Sequence, residues 1–141
     1  MIIRDVMTAN PRTLSPTDTI QTAARLMRDE DTGVVPVVEQ GRPIGILTDR
    51  DIVIRAVADG NQMNSSVREI ASPNIVTVSP DTSTRDASDL MSLHQVRRLA
   101  VMEDDRLVGI VSIGDLAVKE GKDSRIGDTL QSISEGVKES E

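Results

Sequence analysis

The stretch GILTDRDI, Gly45–Ile52, returns sixty-four residues later as GIVSIGDL, Gly109–Leu116. In both, a short aliphatic run ends at a hydroxyl residue, and an aspartate stands three positions further on: Thr48 with Asp51, and Ser112 with Asp115. A short run rich in branched aliphatics reads as a strand. A hydroxyl followed at the third position by an acid reads as the N-cap and N3 residues of a helix. Each copy is therefore a strand running into a capped helix. For one copy alone, capping explains the pair. The recurrence asks whether the same corner also holds a ligand.

The echo extends well beyond these eight residues. Ile3–Ile52 aligns with Val67–Leu116 without a gap, and fourteen of the fifty positions are identical. Among them are Arg4/Arg68, Thr13/Thr77, Ser15-Pro16/Ser79-Pro80, Ala23/Ala87, Leu26-Met27/Leu90-Met91, Gly45-Ile46/Gly109-Ile110 and Asp51/Asp115. This is an internal duplication, and it organises the fold. Each copy predicts a short strand around Thr13-Leu14 or Val76–Val78 that ends at Ser-Pro. A helix follows, with Ile20, Ala23, Ala24 and Met27 at helical spacing in the first copy. Then comes the apolar run Val34–Val38 or Leu99–Met102, a polar turn, and a second strand, Ile44–Leu47 or Val108–Val111. A second helix begins near Asp49 or Ile113, and Ile52, Val53, Ala56 and Val57 supply its apolar face in the first copy. The fold class is α+β, two βαββα repeats packed with pseudo-twofold symmetry, since three short strands bury too little alone. The repeats span 1–60 and 61–118, with Gly60–Ser66 as the linker. A polar tail covers 119–141, where Ile126, Leu130 and Ile133 form one weak helical face.

Composition narrows the chemistry. The 141 residues include no Phe, Trp, Tyr or Cys and one His. The core must be aliphatic, and no ring is available to stack on a base. No disulfide, thiol nucleophile or thiolate metal site can form. With His94 alone, a zinc site would have to rely on carboxylates, so no metal site is expected. A net charge of −7 argues against nucleic-acid binding through a basic face. The only lysines are Lys119, Lys122 and Lys138; every earlier basic residue is Arg, the better bidentate partner for phosphate. Neither a signal peptide nor a membrane-spanning run is apparent, so a cytoplasmic location away from membranes is expected.

The pattern MTxxPxTLSP, a helix ending in Leu-Met, VVPVVE, GRPIGILTDRDI and the looser second copy resemble the cystathionine-β-synthase (CBS) domain. Two such domains in tandem form a Bateman module. The resemblance covers residues 1 to about 118; its single motifs are soft, but their order, spacing and duplication are specific. It implies two interlocked units with two symmetry-related clefts, in which adenosine-containing ligands such as AMP, ADP, ATP or S-adenosylmethionine bind. It also implies pairing of modules into homodimers. No obligatory cofactor follows; the adenine nucleotide is the ligand.

A helix N-terminus presents unpaired N–H groups to a phosphate, a hydroxyl adds a donor, and a carboxylate accepts from both ribose hydroxyls. In the family, the residues matching Thr48 or Ser112 meet phosphate and those matching Asp51 or Asp115 meet ribose. The two corners differ. Gly33-Val34 aligns with Arg97-Arg98, and in related modules residues at this strand start face the nucleotide. The resemblance therefore implies that Ser112, Arg97, Arg98 and Asp115 form the more basic corner, whereas the other has Thr48, Arg50 and Asp51. A solvated strand end paired with nearby acids accounts for the two arginines equally. Neighbours on a strand face opposite ways, so one of the two arginines serves a given ligand. Family analogy sets Thr13 and Thr77 near the base, with Val34, Pro36 and Val96 as aliphatic walls; a β-branched strand residue that fills space accounts for the threonines equally. His94 suits a helix C-terminus. The expected function is a non-catalytic sensor that binds an adenosine-containing molecule and acts on a protein effector in trans. The alternatives are a structural dimerisation module with empty clefts and, further off, a nucleotide-hydrolysing enzyme.

Overall fold

The first repeat's aliphatic runs become a hairpin. In the computed structural model, which describes residues 1–120 and 133, VVPVVE forms one strand and RPIGILT the next. In chain order the elements are β1 (Thr8–Ala9), α1 (Ile20–Glu30), β2 (Val34–Glu39), β3 (Arg42–Thr48) and α2 (Asp49–Asp51), the last continuing as π-helical turns over Ile52–Val57. The second copy supplies β4 (Thr77–Val78), α3 (Thr84–His94), β5 (Arg98–Glu103), β6 (Arg106–Ser112) and α4 (Ile113–Glu120). The architecture is mixed α+β in two equivalent repeats. Among the described residues, no helix is long and apolar enough to cross a membrane.

Local chemistry sets the boundaries. Thr19 and Ser83 cap α1 and α3, each side chain accepting a backbone N–H three residues on. Both helices end on a left-handed residue, Asp31 and Gln95, whose N–H returns to the last turn. β2 and β3 pair antiparallel around Gln40-Gly41, and β5 and β6 around Asp104-Asp105; all four turn residues have positive φ, as a two-residue hairpin requires.

Three expectations change. The strand around Thr13-Leu14 shrinks to a single bridge between Leu14 and Val37, because the next N–H, that of Ser15, turns aside to Asp18 Oδ2 at 2.8 Å. Thr13 therefore lies outside any strand, and Ala24 of α1 is exposed. The second helix buries only Ala56 of its expected face. Val53 is 57% exposed and Val57 61%. Bonds such as Ala58 N–H to Val53 C=O mark the wider π winding, which spreads residues four apart around the axis.

The chain forms two compact units, Pro11–Ile75 and Met1–Asn10 with Val76–Glu141. Each unit contains the opening segment of the other repeat, so the units cut across the repeats as they run in sequence. In Pro11–Ile75, Val67 and Ile70 join Leu14, Ile20, Ala23, Met27, Val35, Val37 and Leu47 in the core. Ser72 and Ile46 exchange both backbone bonds, at 2.9 and 3.0 Å. In the other unit Ile3 and Val6 join Ala87, Met91, Leu99, Val101, Val111, Leu116 and Ile133, and β1 pairs with β6. Of the expected tail face, Ile126 and Leu130 lie outside the described residues.

The crossing explains two of the repeated identities. A Cβ on Gly45 would stand 3.0 Å from Ser72 O, and one on Gly109 3.1 Å from Thr8 O, so both positions need the bare backbone. Arg68 reaches Glu39 at 3.2 Å; Arg4 reaches Asp81 at 3.2 Å and Glu103 at 3.4 Å. Asp81, and after it Glu103, raises the already basic Arg4 further. These pairs are exposed, so they set register more than stability.

Candidate functional site

β3 ends at Thr48, which is still extended (φ −113°, ψ 161°), and the chain then turns into helix. Asp51 N–H donates to Thr48 Oγ1 at 3.1 Å, and Thr48 N–H donates back to Asp51 Oδ2 at 2.9 Å. β6 ends in the same way. Asp115 N–H donates to Ser112 Oγ at 3.1 Å, and Ser112 N–H to Asp115 Oδ2 at 2.8 Å. These are capping boxes with Asp where Glu is more usual. The shorter acid keeps its carboxylate close to the turn. Each box occupies one carboxylate oxygen. The other oxygen of Asp51 lies 3.9 Å from Arg55 Nε, and the Asp51 side chain is 17% exposed.

Strand register brings further residues to each corner. Val34 stands opposite Thr48 across the hairpin, and Arg98 opposite Ser112. Arg98 is half-buried and opens β5; Arg97 is exposed and immediately precedes it. Arg50 is exposed in the first turn after Thr48. Val34, Thr48, Arg50 and Asp51 thus assemble in one unit, and Arg97, Arg98, Ser112 and Asp115 in the other.

The remaining candidates sit elsewhere. Pro36 is buried two residues along β2, where its carbonyl accepts the N–H of Leu14 at 2.9 Å, next to exposed Thr13. Thr77, also exposed, pairs with Ala100, the position equivalent to Pro36. Val96 packs against the core of its own unit, and its N–H closes the end of α3 on Met91 C=O at 3.0 Å. His94 is exposed in the last turn of α3.

Sequence reasoning names Gly33 and Asp49 but gives neither a role in the site. Asp49 N–H donates to Gly33 C=O at 2.9 Å, and a Cβ on Gly33 would stand 2.9 Å from Asp49 Oδ2. The carboxylate therefore rests on the bare Cα. A signal was present: both positions change between the copies, Gly33 to Arg97 and Asp49 to Ile113, and their equivalents are joined by the same bond.

Among the described residues, no three His, Asp or Glu side chains cluster as metal ligands. The corners offer hydroxyls, carboxylates, guanidinium groups and backbone N–H groups. Such groups recognise sugar hydroxyls and phosphates.

Comparison with known proteins agrees with this layout. A family model described as the CBS domain matches residues 3–57 and again 67–119. The CBS domain-containing protein YhcV of Bacillus subtilis is 46% identical over 132 residues, covering 94% of each chain. The crystal structure of hypoxic response protein I with two coordinated zinc ions is 36% identical, with a TM-score of 0.76, covering 84% of this chain and 98% of that one. The CBS domain pair of protein MJ0100, solved with 5′-methylthioadenosine and S-adenosyl-L-methionine, is 27% identical with a TM-score of 0.75, over 85% and 97% of the two chains.

Proposed function

The chain belongs to the CBS-domain family, and from that premise we propose that it is a regulatory module binding adenosine-containing molecules at its Thr48–Asp51 and Ser112–Asp115 corners. The observation that carries this reading is the same reciprocal hydrogen-bonded corner formed twice in one chain. The box aims a carboxylate and holds it rigid, so its second oxygen meets ribose hydroxyls without further loss of side-chain freedom. The adenosine compounds in the MJ0100 complex support the ligand class. The zinc belongs to the other neighbour; in this chain, with one His and no Cys, a zinc site would have to rely on carboxylates.

The module acts without catalysis, in the cytoplasm, with no membrane or nucleic-acid partner. Asp51 and Asp115 belong to separate units, each already engaged in a cap, and neither is poised as a general base. A ligand alters a partner surface only by binding one arrangement of the protein better than another. Val53, Ile54 and Val57, all exposed on the π-helical segment, offer the apolar contact for a homodimer. The regulated effector is a separate protein.

Calorimetric titration with ADP tests the corner. Asp115→Asn keeps an oxygen to accept the Ser112 N–H but loses the charge that strengthens bonds to ribose. A charge-assisted bond contributes about 1.5–3 kcal/mol, so affinity should fall about tenfold or more while the fold survives. Unchanged ADP affinity in this variant would remove Asp115 from the site. No stabilisation of the wild type by any adenosine compound at millimolar concentration would favour a purely structural dimerisation module.

A further inference from the structure

The two corners are closed by one and the same backbone bond, with the side chains on its ends exchanged. Ile113 N–H donates to Arg97 C=O at 2.9 Å, as Asp49 N–H does to Gly33 C=O at 2.9 Å. In the second corner that bond joins an exposed cation to an aliphatic residue. In the first it joins a residue without a side chain to an acid. The Asp49 carboxylate lies directly on Gly33: a Cβ there would meet its Oδ2 at 2.9 Å, its Cγ at 3.2 Å and its Oδ1 at 3.3 Å. Asp49 Oδ1 also accepts the Arg50 N–H at 2.8 Å, which holds the group in place. A negative charge therefore sits in the first corner beside the backbone position from which, in the second, the Arg97 side chain departs.

The charge surrounding each corner follows suit. Around Thr48 stand two carboxylates, Asp49 and Asp51, with Arg50 and Arg55. Around Ser112 stand Arg97 and Arg98 with one carboxylate, Asp115, and neither arginine forms an ion pair with a described residue. A phosphate brought to the first corner meets Asp49 as a like charge, which offsets the neighbouring Arg50. Brought to the second, it meets a guanidinium group without an ion pair among the described residues and with no acid at position 113, suited to bidentate contact.

We propose that Asp49, seated on Gly33, selects ligands by charge: the Asp51 corner takes adenosine compounds that carry no phosphate, and the Asp115 corner takes phosphorylated ones through Arg97. This rests on the ribose reading of both corners. It adds a specificity residue that is not itself a ribose or phosphate ligand. A side chain at Gly33 would push this exposed carboxylate off its seat.

The test is calorimetric titration of the full chain at low salt with two probes, adenosine and ADP. Adenosine should fill two sites per chain. ADP should fill one tightly and the second more weakly, by on the order of tenfold. Asp49→Asn keeps the oxygen that accepts the Arg50 N–H and removes the charge, so it should close the gap between the two ADP affinities while leaving adenosine unchanged. Asp49→Ser, which also keeps an acceptor, is the second variant and should do the same. Raising the salt should narrow the wild-type gap. Equal ADP affinity at two sites in the wild type, or a gap that survives both substitutions, would overturn the role of Asp49 and leave the ribose reading standing. Binding of neither probe would remove the ribose reading, and this proposal with it.

Discussion

Thr48 holds Asp51 by two hydrogen bonds, and Ser112 holds Asp115 in the same way. At the scale of the residue, capping and the proposed ligand binding use one arrangement: the bonds that satisfy the helix end also orient the carboxylate. Removing the hydroxyl leaves the Asp51 N–H without its partner, so Thr48→Ala should cost about 1 kcal/mol in chemical denaturation. Thr48→Ser should be nearly silent, because serine does the same work at 112. A loss for serine as large as that for alanine would show that the methyl group, and not the cap, carries the stability. The pair is legible in the sequence because cap and acid are three residues apart. The role of Asp49 is less legible, since its contact with Gly33 spans sixteen residues and appears only when the hairpin closes. The spread of the other candidates has the same cause: Val96 turns to its own core because it follows a left-handed helix end that adjacency to Arg97 does not reveal.

At the scale of the element, the two repeats fold alike where sequence spacing is local and depart from expectation where pairing is distant. Hairpins and first helices follow the aliphatic pattern closely. The leading segments do not announce their partners. Met1–Asn10 opens the first repeat yet completes the unit of the second, and no local signal says which hairpin a segment will cross. The identity of Arg4 with Arg68 is visible, but its meaning lies in Glu103 and Glu39, ninety-nine and twenty-nine residues away. Ile3 is fully buried, so Ile3→Ala should destabilise the protein by about 2–5 kcal/mol. Arg4→Ala, which breaks only exposed ion pairs, should cost about 1 kcal/mol or less. Thermal or urea unfolding of the two variants separates these cases. If Ile3→Ala proved as mild as Arg4→Ala, the leading segment would not be an integral part of its unit. The second helix departs for a different reason: helical spacing of Ile52, Val53, Ala56 and Val57 presumes α winding, and the π winding of Ile52–Val57 leaves Val53 and Val57 in solvent.

At the scale of the whole molecule, duplication produces two similar corners, and divergence has given them different charge: two carboxylates with two arginines around Thr48, one carboxylate with two arginines around Ser112. Its two capped corners are the proposed sugar sites, and exposed Val53, Ile54 and Val57 the proposed contact with another copy. Native mass spectrometry of freshly purified protein reads ligand and assembly together, before and after adding ADP. The account predicts a dimer mass with an adenosine-containing molecule retained or taken up on each chain, and a smaller ADP increment at limiting ADP in Asp115→Asn. Bare polypeptide that gains no mass with ADP or adenosine would contradict it.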